Sequence, residues 1–308
     1  MNTTRIVTIV CWVISAVALS GLIIWFLAND VAGFEFGSLE PVGTHIVSID
    51  SIDSLFVDWT AGAVNIRIHD SDEIQITEFA RRGLRENEHL RLNTDGNTLA
   101  IYFTEHRIIR NNMPSKQLEV LIPYALSKNF ESFHINTVSG RIEINDIHTD
   151  NFTTNTVSGR IELRNITSQA LNASTVSGRI ELSAVQAEKI DLQTVSGRIG
   201  VIDTQTQTLY TNTISGRHEL SGNFGRINAR STSGRIEITS TIVPEHLAAH
   251  TISGRIDVTV PKEGTISVQH STSSRFSSEI PVNHPGNADA HFNLSTSSGR
   301  ISIFELRR

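Results

Sequence analysis

The tripeptide Ser-Gly-Arg returns along this chain with its glycine at positions 140, 159, 178, 197, 216, 234, 254 and 299, followed by Ile in every copy except one, where His218 stands. The first five copies are 19 residues apart, and the next two intervals are 18 and 20. A degraded copy, Ser273-Ser274-Arg275-Phe276, fills the gap before the last. A short motif held at one period is the signature of a solenoid, in which each repeat is one coil packed on its neighbours.

Aligned on the glycine, the coils share a hydrophobic rhythm. Upstream lies an apolar residue (Phe133, Phe152, Leu171, Ile190, Leu209, Ile227, Leu247, Phe292), and two residues on a second, often smaller one such as Ile135, Ala173 or Leu192. That spacing is the period of a half-buried strand. After the glycine the apolar positions change parity, to Ile142 and Ile144 or Ile161 and Leu163, and a one-residue shift swaps strand faces. The Ser-Gly pair therefore reads as a bulge or corner where glycine supplies a positive φ. A third apolar residue, Ile147, Ile166 or Val185, marks another corner. The reading is an all-β, right-handed parallel β-solenoid with coils of about 19 residues and a rise of roughly 4.8 Å per coil. The absence of proline between Pro123 and Pro244 suits an uninterrupted ladder.

Equivalent residues in such a stack form files. Thr and Ser three residues before each glycine are expected to form a self-satisfying hydroxyl column. The arginines form another file: Arg141, Arg160, Arg179, Arg198, Arg217, Arg235 and Arg255, continued by Arg275 and Arg300. Glu143, Glu162, Glu181, Glu219, Glu237 and Asp257 follow two residues behind on the same side. Two readings are open. The ridge Arg141–Arg255 is a candidate anion- or glycan-binding strip, because guanidinium groups make bidentate contacts to phosphate and carboxylate. Alternatively it is a self-neutralised ladder that fixes register, which the closeness of the acids favours.

The chain's start differs. Residues 6–27, IVTIVCWVISAVALSGLIIWFL, carry no charge and are long enough to span a bilayer as a helix. Their length exceeds a secretory signal core, so an uncleaved anchor is favoured over a cleaved signal. Arg5 precedes the run while Asp30 and Glu35 follow, which sets the amino terminus in the cytoplasm and the body across the membrane. The organisation expected is a tail over 1–5, an anchor over 6–27, a linker over 28–44, an N-terminal β cap over 45–130, and repeats with a C-terminal cap over 131–308. A formal charge of −6 argues against a nucleic-acid partner, and the single Cys11 excludes an intramolecular disulfide framework.

The N-terminal anchor, the LEVLIP strand and the serial T-[VI]-S-G-R-I units resemble a bacterial β-strand-repeat family catalogued as putative adhesins of unknown function, related to autotransporter-like adhesin heads. The resemblance covers roughly residues 45–308. It implies a β-solenoid on the bacterial surface and transfers no catalytic residue.

A search for chemistry adds little. His246 and His250, in EHLAAH, would share a face on a helix, but repeat register places them on a strand. Asp191 and Asp203 depart from the pattern without forming a pair. No nucleophile elbow, phosphate loop or Cys–His arrangement occurs, and no cofactor or metal is implied. The function expected is a membrane-anchored, extracytoplasmic surface-binding protein directed at cell-wall or extracellular glycan or an envelope protein. An envelope-stress component acting through a membrane partner is the alternative, and a polysaccharide-active β-helix enzyme the third.

Overall fold

The computed structural model describes residues 38–49, 51–104, 115–128, 130–282 and 288–307. These residues are all-β, with twenty-three strands hydrogen-bonded into one continuous sheet and two short 3-10 turns. The expected tail and anchor lie outside the described residues, as does the linker up to residue 37. Among the described residues no helix is long and apolar enough to cross a membrane.

Each coil follows its hydrophobic pattern. A long strand such as Thr167–Ser177 runs to the Gly-Arg corner, and a short strand such as Ile180–Ser183 follows it. Long strands Phe130–Ser139, His148–Ser158, Thr167–Ser177 and Gln186–Ser196 pair in parallel, each residue on its copy 19 positions away. Phe133, Phe152, Leu171 and Ile190 thereby form one inward file, and Ile142, Ile161, Ile180 and Ile199 form another on the short strands. All eight side chains are fully buried. Burying each contributes roughly 1.5–3 kcal/mol, so the two facing files carry the fold.

The corner glycines answer to stacking more than to φ. A Cβ on Gly159, Gly178, Gly197 or Gly216 would fall on the carbonyl oxygen of the glycine one level below, well inside the 3.0 Å that real Cβ atoms essentially never breach. Only close passage of bare backbone lets successive levels sit at strand spacing there. Positive φ belongs to Gly62, Gly140, Gly234 and Gly299 in this file (99°, 148°, 158° and 154°), so the expected conformational reason covers part of the column. The second corner is the truly left-handed one. Asp146, Asn165, Ala184 and Asp203 adopt φ of 64°, 53°, 53° and 50°, just before the buried Ile147, Ile166, Val185 and Thr204. Asn and Asp accept that conformation readily. Asp203 is thus a regular corner residue and no departure from the repeat.

The hydroxyl column satisfies itself only locally. Thr137 donates to Thr156 at 2.8 Å, whereas the buried hydroxyls of Thr175, Thr194 and Thr213 find no partner. Level spacing of roughly 4.8 Å exceeds hydrogen-bond length, so only side chains that lean together can meet.

Both ends of the stack break sequence order. Ser54–Ala61 and Val64–His69 make a coil of their own around Gly62, paired in parallel with Phe130–Ser139 and Ile142–Asn145. On its other side lie Thr98–Tyr102 and Lys116–Pro123, which come later in the chain. Antiparallel strands close this end: Arg91–Asp95 on Thr98–Tyr102, and Glu73–Ala80 on Lys116–Pro123 with Glu40–Ser48 outside it. Strand structure therefore begins within the segment expected as linker, and much of the expected cap is solenoid. At the far end, Ala290–Ser298 and Ile301–Glu305 sit directly on His246–Ser253 and Ile256–Val260. Ile266–Thr272 and Phe276–Ser278 pack outside them, so the final coil is inserted beneath the one that precedes it. The 25-residue interval around Pro281 and Pro285 supplies the chain needed to step back one level.

Candidate functional site

The arginine file becomes a zipper once the levels are stacked. The guanidinium groups leave the corner partly or fully exposed, and among the acids two residues later on the short strand Glu162 and Asp257 are buried. Arg160 binds Glu162 at 2.7 Å, Arg179 binds Glu181 at 3.1 Å, and Arg217 binds Glu219 at 3.0 Å. Contacts between levels cross-link the file. Arg141 bonds Glu162 of the next coil and lies 3.3 Å from its own Glu143, and Arg235 reaches Asp257 at 2.8 Å and Glu237 at 3.4 Å. Arg198 has Gly200 where the others have an acid, and borrows Glu219 at 3.4 Å. Arg255 stands 3.8 Å from Asp257, which Arg235 already engages.

Electrostatics agree with the geometry. Burial works to raise the Glu162 carboxyl, but hydrogen bonds from Arg160 and Arg141 prevail and hold it below the usual carboxylate range. The hydrogen bond to Glu162 raises Arg141. Sequence reasoning missed Arg164, which clamps Glu143 at 3.0 Å and Glu162 at 2.9 Å from a short-strand end. All seven candidate arginines, Arg141 to Arg255, therefore lie within 4 Å of an acid. Over that stretch the ridge is built of Arg–acid ion pairs. Its carboxylates are engaged as counterions of the arginines.

The outward face of the long strands holds a second feature. Consecutive levels bring Tyr210, Asn228, Ala248, Asn293 and Gln269 into one file, beside a file that includes His246 stacked on His291 at 5.7 Å. The small Ala248 between larger neighbours leaves an open trough of about 420 Å³. Tyr210 is 40% exposed at one end of it. Beside the arginine ridge, Val138, Ile214 and Ile252 occupy one repeat position on separate levels and are exposed.

The remaining sequence candidates separate. On the strand His246–Ser253, four residues put His246 and His250 roughly 13 Å apart, too far for one metal ion. His250 Nδ1 pairs instead with Ser295 Oγ at 2.9 Å. No metal-binding cluster of His, Cys, Asp and Glu occurs among the described residues. His218 takes an inward isoleucine position and is buried, with Nδ1 2.9 Å from Thr211 Oγ1. Asp191 is half-buried and accepts a hydrogen bond from Gln193 at 3.0 Å.

Fold and ladder together define a parallel β-solenoid repeat protein with a regular file of Arg–acid ion pairs. The model of the Toastrack DUF4097 family matches residues 52–304, and the chain belongs to that family. Solved structures share the fold at low identity. A putative adhesin from Parabacteroides merdae is 13% identical over 88% of this chain and 98% of its own, with a TM-score of 0.53. A putative adhesin from Parabacteroides distasonis is 14% identical over 87% and 98%, with a TM-score of 0.52. A putative lipid binding protein from the same species is 16% identical over 88% and 98%, with a TM-score of 0.50. None of the curated proteins matches the chain.

Proposed function

We propose that this protein is a membrane-anchored, extracytoplasmic β-solenoid that acts by adhesin-like binding to cell-wall or other extracellular glycan, without catalysis. The trough on the long-strand face carries this reading. It offers the partly exposed Tyr210 and the amides of Asn228, Asn293 and Gln269 for contacts to sugar rings and their hydroxyl groups. Its levels recur at strand spacing, so a polymer lying along the stack meets one set of side chains after another and gains avidity. The description of two structural neighbours as putative adhesins supports the same role. The uncharged run 6–27 supports a single-pass anchor in the cell membrane, with the amino terminus cytoplasmic and the body outside.

The test is co-sedimentation of the full chain, held in detergent, with insoluble cell-wall glycan while the supernatant is assayed for released sugar. The protein is expected to pellet without release, and Tyr210→Ser with Asn293→Ala is expected to leave it in solution. A protein that never pellets directs attention to an envelope protein as partner. Release of sugar overturns the non-catalytic reading.

A further inference from the structure

The arginine ladder loses its counterions at one end. Its acid column stops at Asp257: the equivalent positions in the two levels above are Ser302 and Ser277, as the register Asp257↔Ser302 and Ser277↔Ser302 shows. The arginines continue. Ile256 N donates to Arg300 O and Ile301 N donates to Arg275 O, each at 3.0 Å, so Arg255, Arg300 and Arg275 occupy three successive levels of one file. Both Arg300 and Arg275 are exposed. Among the described residues neither has an acidic partner, whereas each of the seven arginines of the file from Arg141 to Arg255 has one within 4 Å. Arg255, the third, shares its acid with Arg235.

Like charges on adjacent strands repel, and elsewhere this ladder places an acid between them at every level but that of Gly200, where Glu219 of the next coil serves. Here it places hydroxyls: Ser277 donates to Ser302 at 3.3 Å. We propose that Arg275, Arg300 and Arg255 form a binding site for the anionic groups, carboxylate or phosphate, of an acidic glycan. The incoming anions take the place the acid column leaves, and the planar guanidinium forks engage them bidentately. Repeated charges on a polymer meet cations repeated at roughly 4.8 Å. Linear order hides the site, because Arg255 and Arg300 become neighbours only through the inserted final coil. The inference deepens the glycan-binding reading and rests on it.

Binding of the full chain in detergent to fluorescent polygalacturonate and to a glycerol-phosphate polymer is measured across a salt series, with dextran as the neutral control. The expected result is binding to one or both anionic polymers. The variant Arg275→Gln with Arg300→Gln is expected to lose it by about tenfold or more, each charge-assisted contact being worth on the order of tenfold. It also flattens the salt dependence. The interior pair Arg160→Gln with Arg179→Gln keeps full affinity. Ser277→Glu restores the missing acid and is expected to abolish binding while the thermal midpoint holds or rises, which separates loss of the site from loss of fold. The polymer that binds identifies carboxylate or phosphate as the group recognised. Absence of anionic binding by the native chain, or unchanged affinity in the Arg275/Arg300 variant, overturns the site. If wall glycan is still pelleted in that case, the proposed function stands without it; if anionic polymers bind but wall glycan does not, the site stands and the wall as target falls.

Discussion

A single buried imidazole shows how strictly the inward files are specified. His218 lies between Ile199 and Ile236 in a file of isoleucines and is fully buried. Burial pushes its pKa down to about 4, so the folded protein holds it neutral. The unfolded chain takes up the proton near 6.5. Because the unfolded state binds the proton more readily, stability is fully present above about pH 6.5 and is lost as pH falls towards about 4. The loss amounts to roughly 3 kcal/mol at the acid end, from 1.36 kcal/mol for each unit of displacement. His218→Ile restores the file and is expected to remove this loss, offset by about 1 kcal/mol at Thr211, whose hydroxyl keeps no partner. Urea unfolding of both proteins at pH 7 and pH 4.5 checks it: equal acid sensitivity in the two would show that His218 does not carry the titration.

At the scale of elements, the capped N-terminal end rests on a charge the sequence pattern gave no reason to notice. Lys116 opens the strand Lys116–Pro123, entirely buried, and donates to Glu78 at 2.6 Å, to the Glu88 carbonyl at 2.7 Å and to the Phe103 carbonyl. Its ammonium also lies 4.0 Å from the Phe103 ring and 5.0 Å from the Trp59 ring. Burial lowers the Lys116 pKa, and Glu78 counters this. Glu78 stands on Glu73–Ala80, so the pair joins the antiparallel cap to the outermost coil. Lys116→Met leaves the buried Glu78 carboxylate with only His89 and the Leu90 N–H as partners and is expected to cost about 3–5 kcal/mol, part of which the added change Glu78→Leu returns. Chemical unfolding followed by circular dichroism measures both, and a double variant as weak as the single one would assign the loss to packing. The contrast with the repeats explains what was legible. Files such as Phe133, Phe152 and Leu171 repeat a local rule at one period, so alternation and spacing expose them directly. Gly62 carried the same corner in the segment WTAGAV, but without Ser or Arg beside it the coil was read as cap. Lys116 and Glu78, 38 residues apart, meet only through antiparallel pairing that no period announces. Ser277 and Ser302 were visible as residues, yet their meaning as a gap in the acid column depends on level order, which the chain's step back fixes in space.

For the whole molecule, a solenoid's stability approximates a sum of coils and the interfaces between them, so interior and terminal coils are not equivalent. Deleting Thr167–Val185 removes one period and joins Ile166 to Gln186, which already shares register with Thr167. Ile190 then stacks on Phe152, the glycine file stays continuous, and Arg160 faces Arg198 with Glu162 still between the levels. The shortened protein is expected to fold cooperatively with the same circular dichroism per residue, and X-ray scattering should show a stack shorter by roughly 4.8 Å. Ending the chain at residue 287 removes a comparable length with the opposite result. The level Ile256–Val260 loses its covering strand Ile301–Glu305, and Phe276–Ser278, only three residues long, loses the strand it pairs with. Unpaired strand edges recruit other chains, so this truncation is expected to aggregate where the interior deletion stays monodisperse. Gel filtration of the two proteins decides it. Equal behaviour would mean that the inserted final coil does not close the stack and that Ile266–Thr272 and Phe276–Ser278 can cap it alone.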